Sequence, residues 1–275
     1  MSILRQTKDI CRAYQIKPLR RRGQNFLIND LIIRKILETA DLKKDDTVLE
    51  IGSGLGTLTR EIAKKVKMVV AVEVDQILVQ VLKDQLREYQ NIKIISGDIR
   101  KLSLKDLKLS DYQIVTNLPF NITGLVLKRF LSEKPKPRLI TLILQKEVAE
   151  RIIAQPSQMS ILAVAVQFYA QAKIISSVSR NNFWPKPKVD SVIMKIIPLE
   201  GPTFLGNQIS EEQFFKIVKA GFSSRRKYVL NNLAKGAIMD KALGGKIFKK
   251  LGFNPKVRAQ ELSVEDWIKL TKELK

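Results

Sequence analysis

Residues 47–65 read TVLEIGSGLGTLTREIAKK, and the fold follows from this stretch. TVLEI is a short apolar run that Gly52 stops, and 57–65 has its apolar residues at helical spacing, so strand, glycine-rich turn and helix follow without a break. The alternation continues on both sides. Helical patterns cover 31–40 and 77–88, and strand patterns cover 68–74 (MVVAVEV), 92–95, 112–116 and 139–144 (LITLIL). Strands of near-continuous apolar character separated by helices are what a parallel sheet covered on both faces requires. The expected fold is doubly wound α/β. Two later strand patterns, 172–178 and 189–197, flank the Pro-rich FWPKP at 183–187 and are expected to close the sheet in antiparallel fashion. Gly and Pro mark a composition shift at 201–207, and everything after Glu211 is helical in pattern. This divides the chain into an N-terminal arm (1–25), an α/β domain (26–203) and a small all-helical C-terminal domain (204–275).

The composition narrows the partners. The 275 residues carry 49 Lys and Arg against 27 Asp and Glu, a net charge of +22 that favours a polyanion such as nucleic acid. The first 25 residues hold seven cations against Asp9, and 204–275 holds 15 cations against 7 acids, so the basic character sits at both ends. With no His and a single Cys11, the chain lacks the usual zinc ligands, the Ser-His and Cys-His nucleophile pairs and any internal disulfide, and no metal is expected. The longest apolar run, ILAVAV at 161–166, is too short to span a bilayer. A cytoplasmic protein that binds no membrane is the expectation, with monomer as the default state.

The chemistry lies at the strand ends. Glu50-Ile51-Gly52-Ser53-Gly54-Leu55-Gly56 follows a strand and opens a helix, so its glycines admit a ligand close to the backbone at the carboxyl edge of the sheet. Its last Gly falls one place too early for the nicotinamide fingerprint, and the spacing suits a nucleoside without a pyrophosphate. A turn serving only tight strand–helix packing would read the same way. The next strand ends in Glu73, 21 residues after Gly52, with Asp75 beyond it; an acid there can accept hydrogen bonds from a ribose diol, or be merely solvated. The third strand runs into Gly97-Asp98, where a carboxylate can accept from an adenine amine. Three such turns on consecutive strands specify a nucleoside pocket. The fourth strand ends in Asn117-Leu118-Pro119-Phe120, which offers a side-chain oxygen, a backbone carbonyl and a flat aromatic face to an amino group on a planar base. Two acceptors gripping such an amine favour a pyramidal nitrogen with a localised lone pair, so no general base is needed.

Gly23-Gln24-Asn25-Phe26-Leu27, the EIGSGLG loop, Val72-Glu73-Val74-Asp75, Gly97-Asp98, NLPF and the FWPKPKVDS run at 183–191 stand in the order seen in S-adenosylmethionine-dependent ribosomal RNA adenine N6 dimethyltransferases. The chain resembles the small-subunit branch of that family from about residue 20 onward, because Arg225-Arg226-Lys227, Asn231-Asn232-Leu233 and RAQELS at 258–263 are also similar to its C-terminal domain. The resemblance implies a Rossmann-like class I methyltransferase domain with S-adenosylmethionine as methyl donor. It further implies that Asn25 and Leu27 close over the donor, that Gly52 lies against its methionine portion, that Glu73 binds the ribose hydroxyls and Asp98 the adenine amine, and that Gln24, Gly54, Val74 and Ile99 also bind the donor. Asn117 would touch donor and target nitrogen, the Leu118 carbonyl would be the second acceptor, and Phe120 and Phe183 would sandwich the target base. The branch usually has Tyr where this chain has Phe120, which keeps the stacking face without the hydroxyl.

The substrate so implied is a pair of adjacent adenosines in a hairpin loop near the 3′ end of small-subunit ribosomal RNA, within a pre-30S particle. The alternatives are a large-subunit adenine dimethyltransferase of the resistance type and a non-catalytic ribosome assembly factor. By composition alone Phe183 and Trp184 are core aromatics, and Asn231-Asn232 a helix cap; a place in a Pro-rigidified surface loop weighs for Phe183 in the site. Arg20, Arg21, Arg22, Lys188, Arg225, Arg226 and Lys227 are expected to contact RNA phosphates, although charge runs are usually solvated faces.

Overall fold

The computed structural model describes residues 2–19, 23–199 and 209–274. The described elements are α1 (Ile3–Ala13), β1 (Phe26–Leu27), α2 (Asp30–Ala40), β2 (Thr47–Ile51), α3 (Thr57–Ala63), β3 (Met68–Glu73), α4 (Gln76–Gln85), β4 (Ile92–Ser96), β5 (Gln113–Asn117), α5 (Thr123–Ser132), β6 (Leu139–Gln145), α6 (Lys146–Ile152), α7 (Ile161–Tyr169), β7 (Ala170–Val178), β8 (Phe183–Trp184), β9 (Ser191–Pro198), α8 (Glu211–Gly221), α9 (Val229–Lys235), α10 (Lys241–Lys250) and α11 (Val264–Glu273). Seven strands form one sheet in the order β4-β3-β2-β5-β6-β9-β7. The pairs among β2 to β6 are parallel, with Leu49 beside Val70 and Ile114, and β9 runs antiparallel to β6, with Leu142 beside Met194. Successive residues such as Val48 and Leu49, or Val69 and Val70, are both buried, so helices cover both faces of the sheet. The strand order reverses between β2 and β5, the point at which an open α/β sheet leaves a crevice at its carboxyl edge.

Two compact units emerge, Met1–Ala149 with Gln171–Pro198, and Glu150–Ala170 with Leu199–Lys275. The boundary expected at 203/204 lies outside the described residues, and the second unit takes in 150–170, which the sequence pattern assigned to the α/β domain. The reason is local packing. In α7, Phe168 stacks on Phe214 with ring centroids 4.3 Å apart, and the Tyr169 hydroxyl donates to Glu211 at 2.8 Å. A helix that is apolar all round carries no periodic sign of which neighbour it serves. Asn232, read from the sequence as a possible cap, sits within α9 instead, where its Nδ2 donates to the carbonyls of Gly221 (2.6 Å) and Ser224 (3.0 Å).

Candidate functional site

A cavity of about 360 Å3 opens at the carboxyl edge of the sheet, a size proper to a small-molecule site. Its wall gathers Gln24, Asn25 and Leu27, the glycine loop, Glu73 and Val74, Asp98 and Ile99, and Asn117 to Phe120. Stretches almost 100 residues apart in sequence thus face one space.

The glycine loop is shaped for close approach. Gly52 and Gly54 have φ of +76° and +59°, which only glycine adopts freely, and a Cβ on Gly52 would lie 3.0 Å from the Pro119 ring. Glu73, 5% exposed, organises the loop from the next strand: Oε2 accepts from the Gly54 N–H (3.0 Å), and Oε1 from those of Val74 (2.8 Å) and Asp75 (3.0 Å). A carboxylate offers about four lone-pair sites, so with three taken one is left for a further donor. Burial pushes the Glu73 carboxyl above its usual range, opposed by these three N–H groups. Asp75 caps α4 through Ile77 N (3.1 Å) and receives Gln24 Nε2 (3.1 Å), which ties the GQNFL segment to the end of β3.

Asn117 is held by its own amide. Nδ2 donates to the Asn25 carbonyl at 3.1 Å, which leaves Oδ1 as the acceptor end of a side chain that lines the cavity. Leu118 is buried beside it and Phe120 is half-buried at the rim. Asp98 is gripped by Arg100: Oδ1 accepts from its backbone N (3.0 Å) and Nε (2.9 Å), and Oδ2 from Nε (3.0 Å) and Nη2 (2.5 Å). This fork, the first cause, holds the Asp98 carboxyl below its usual value. Arg100 also lines the cavity and had no signal in the sequence beyond its proximity to Asp98.

Glu50 is another wall residue that sequence reasoning left without a role. It is 2% exposed, its Oε2 accepts from Thr59 Oγ1 at 2.5 Å, and burial pushes its carboxyl up to about 8. A cation in the cavity would favour its ionised form.

Phe183 is positioned by a short strand pair. β8 pairs antiparallel with β1, placing Phe183 beside Leu27 and Trp184 beside Phe26. The Phe183 ring, 2% exposed, packs with Leu27, Val178 and Ile193, and Leu27 itself lines the cavity. Its burial matches that of Leu118, 1% exposed, which lines the cavity. Phe183→Leu is expected to lower turnover as well as stability, the latter by about 1–2 kcal/mol in denaturant unfolding. Unchanged turnover would take it out of the site.

Of the expected phosphate contacts, Arg20, Arg21 and Arg22 lie outside the described residues. Lys188 is exposed, and its carbonyl accepts from Arg180 Nη1 at 2.9 Å. Arg225, Arg226 and Lys227 are exposed in the turn between α8 and α9. No helix among the described residues is long and apolar enough to cross a membrane.

Comparison with known proteins gives the same picture. The family described as "Ribosomal RNA adenine dimethylase" matches residues 17–275. The chain is 40% identical over 271 residues to the Ribosomal RNA small subunit methyltransferase A of Dehalococcoides mccartyi strain CBDB1, covering 98% of this chain and 92% of that one. It is 39% identical to the protein of the same name from Clostridium botulinum strain Okra, covering 96% and 97%. Among solved structures it is similar to a dimethyladenosine transferase from Plasmodium falciparum (TM-score 0.74, 25% identity, 89% and 95% covered) and to the 23S rRNA methyltransferase ErmE (TM-score 0.72, 26% identity, 91% and 99% covered).

Proposed function

The chain belongs to the ribosomal RNA adenine dimethylase family, and on that premise we propose that it transfers methyl groups from S-adenosylmethionine to the N6 atoms of two adjacent adenosines near the 3′ end of small-subunit ribosomal RNA. The observation that carries the reaction class is the convergence of Glu73, Asp98 and Asn117, from the ends of three strands, on one glycine-lined cavity. Identity of 40% across 98% of the chain to a small-subunit enzyme, against 26% to ErmE, favours the small subunit over the large.

The residues present fit the donor, because the positive-φ glycines leave open a cradle that a Cβ at Gly52 would narrow against Pro119. S-adenosylmethionine supplies, when bound, an electrophilic methyl group on a sulfonium. Glu73 accepts from the ribose with the lone pair its backbone partners leave, while Val74 and Ile99 flank the adenine and Asp98 accepts from its amine. Asn117 Oδ1 and the Leu118 carbonyl accept hydrogen bonds from the target amine, and the rings of Phe120 and Phe183 flank the base. A target adenosine must leave its stack to enter so narrow a site. The displaced proton passes to solvent, and no residue of this chain needs to act as a general base. Phe120 serves by its face, without the hydroxyl that a Tyr would add.

The phosphate contacts fall to Arg225, Arg226 and Lys227, with Arg20, Arg21, Arg22 and Lys188, and the pre-30S particle is the substrate that a monomer acts on in the cytoplasm. Reversing Arg225, Arg226 and Lys227 to Glu is expected to weaken RNA binding and to flatten the slope of log affinity against log salt by about 2. An unchanged slope would make the turn a solvated face.

The test of function is tritium transfer from labelled S-adenosylmethionine to unmethylated small subunits, large subunits and free RNA, followed by mapping of dimethyladenosine. Label in two adjacent adenosines of small-subunit RNA is the expected result. Label confined to large-subunit RNA would place the chain in the resistance branch, and donor binding without transfer would leave it an assembly factor.

A further inference from the structure

Resting on the donor reading above, we infer that Arg129 is a positioning residue for adenine recognition, acting through the loop that carries Asp98. Arg129 lies in the last turn of α5, the helix that starts directly after the Asn117–Phe120 segment. Its side chain is only 17% exposed. The guanidinium donates through Nη1 to the Ile99 carbonyl and through Nη2 to the Leu102 carbonyl, and Nε reaches Glu133 Oε2 at 3.2 Å. One planar fork therefore spans both ends of the turn over 99–102, a geometry that a lysine's single ammonium does not reproduce.

Apart from the Arg100 contacts to Asp98, few hydrogen bonds within the turn hold its backbone. It belongs to no helix or strand, and its internal backbone bonds are Lys101 N (2.8 Å) and Leu102 N (3.1 Å), both to the Asp98 carbonyl. Asp98 and Ile99 form the adenine end of the cavity, so the place of the Asp98 carboxylate depends on the backbone that Arg129 clamps. Arg100 also contacts that carboxylate, but its side chain is 49% exposed and can turn to solvent when an amine enters. Arg129 cannot turn out in this way, because it is packed beneath the loop. Since α5 begins at the segment that holds the target amine, the same side chain fixes the adenine end of the donor relative to the target end. A long side chain from a helix to two carbonyls of another loop leaves no local sequence pattern.

The test compares binding of S-adenosylhomocysteine with that of S-inosylhomocysteine, in which a carbonyl replaces the adenine amine, by calorimetry on the full chain. The wild type is expected to favour the adenosyl ligand by about tenfold or more, the worth of a hydrogen bond to a charged acceptor. Arg129→Lys and Arg129→Met are expected to pull that ratio toward one, with most of the loss on the adenosyl side. In an Asp98→Asn background the Arg129→Lys change should then have little further effect on either ligand. A merely structural arginine would lower the melting temperature and leave the ratio as in the wild type, and that result overturns the inference while keeping the donor reading. If both Arg129 variants fail to fold, full additivity of Asp98→Asn with Glu133→Gln, which frees the guanidinium from one side, overturns it, and coupling upholds it. Wild-type protein that binds neither ligand overturns the donor reading and the inference with it.

Discussion

Asn117→Ala is expected to lower methyl transfer by about 10³-fold, the cost typical of removing one preorganised polar partner from a developing charge. The side chain has two tasks that alanine cannot share. Nδ2 holds the Asn25 carbonyl, so the segment that closes one wall of the cavity is tied to the end of β5. In the proposed reaction Oδ1 accepts from the amine of the target and helps to localise a lone pair that is otherwise delocalised into the base. The Leu118 carbonyl remains in the variant, so some acceptor strength persists and donor binding should be weakened but measurable. Asn117→Asp separates the tasks, since it keeps an acceptor and loses the donor to Asn25. Single-turnover rates with saturating donor are the measurement, and wild-type turnover in Asn117→Ala would remove the residue from the chemistry.

Glu73→Ala is expected to weaken donor binding by about 100-fold or more, a larger effect than one lost ribose contact would cause. Its carboxylate ties the glycine loop to the end of β3 through three backbone N–H groups, and those donors would be left without their acceptor. The loss should appear in the dissociation constant of S-adenosylhomocysteine and also in the melting temperature. Glu73→Gln keeps the shape but points an N–H₂ at backbone donors, so it should resemble alanine in affinity. An unchanged dissociation constant by calorimetry would take Glu73 out of the pocket.

The part of the site legible in the sequence is the part written in short stretches. EIGSGLG, VEVD, GD and NLPF each sit at the end of a strand, and a parallel sheet brings such ends to one edge whatever lies between them. Phe183 owes its place to pairing with Leu27, more than 150 residues away, a contact that no local pattern encodes. Arg100 and Arg129 carried no signal, since their partners are a neighbouring carboxylate and two carbonyls in a loop. Glu50 was quoted as part of a motif, yet only burial reveals its raised carboxyl.

The sequence by itself determined the doubly wound α/β fold, the helical C-terminal end, the nucleoside-binding edge and the resemblance to ribosomal RNA adenine dimethyltransferases. These follow from hydrophobic period and turn chemistry, both of which act over a few residues and are therefore written along the chain. Tertiary structure alone decided that 150–170 joins the helical unit, that Phe183 lies beside Leu27, that Glu73 organises the glycine loop, and that Arg129 clamps the loop carrying Asp98. Each of these depends on which distant groups meet, and close packing settles that through contacts no local pattern encodes.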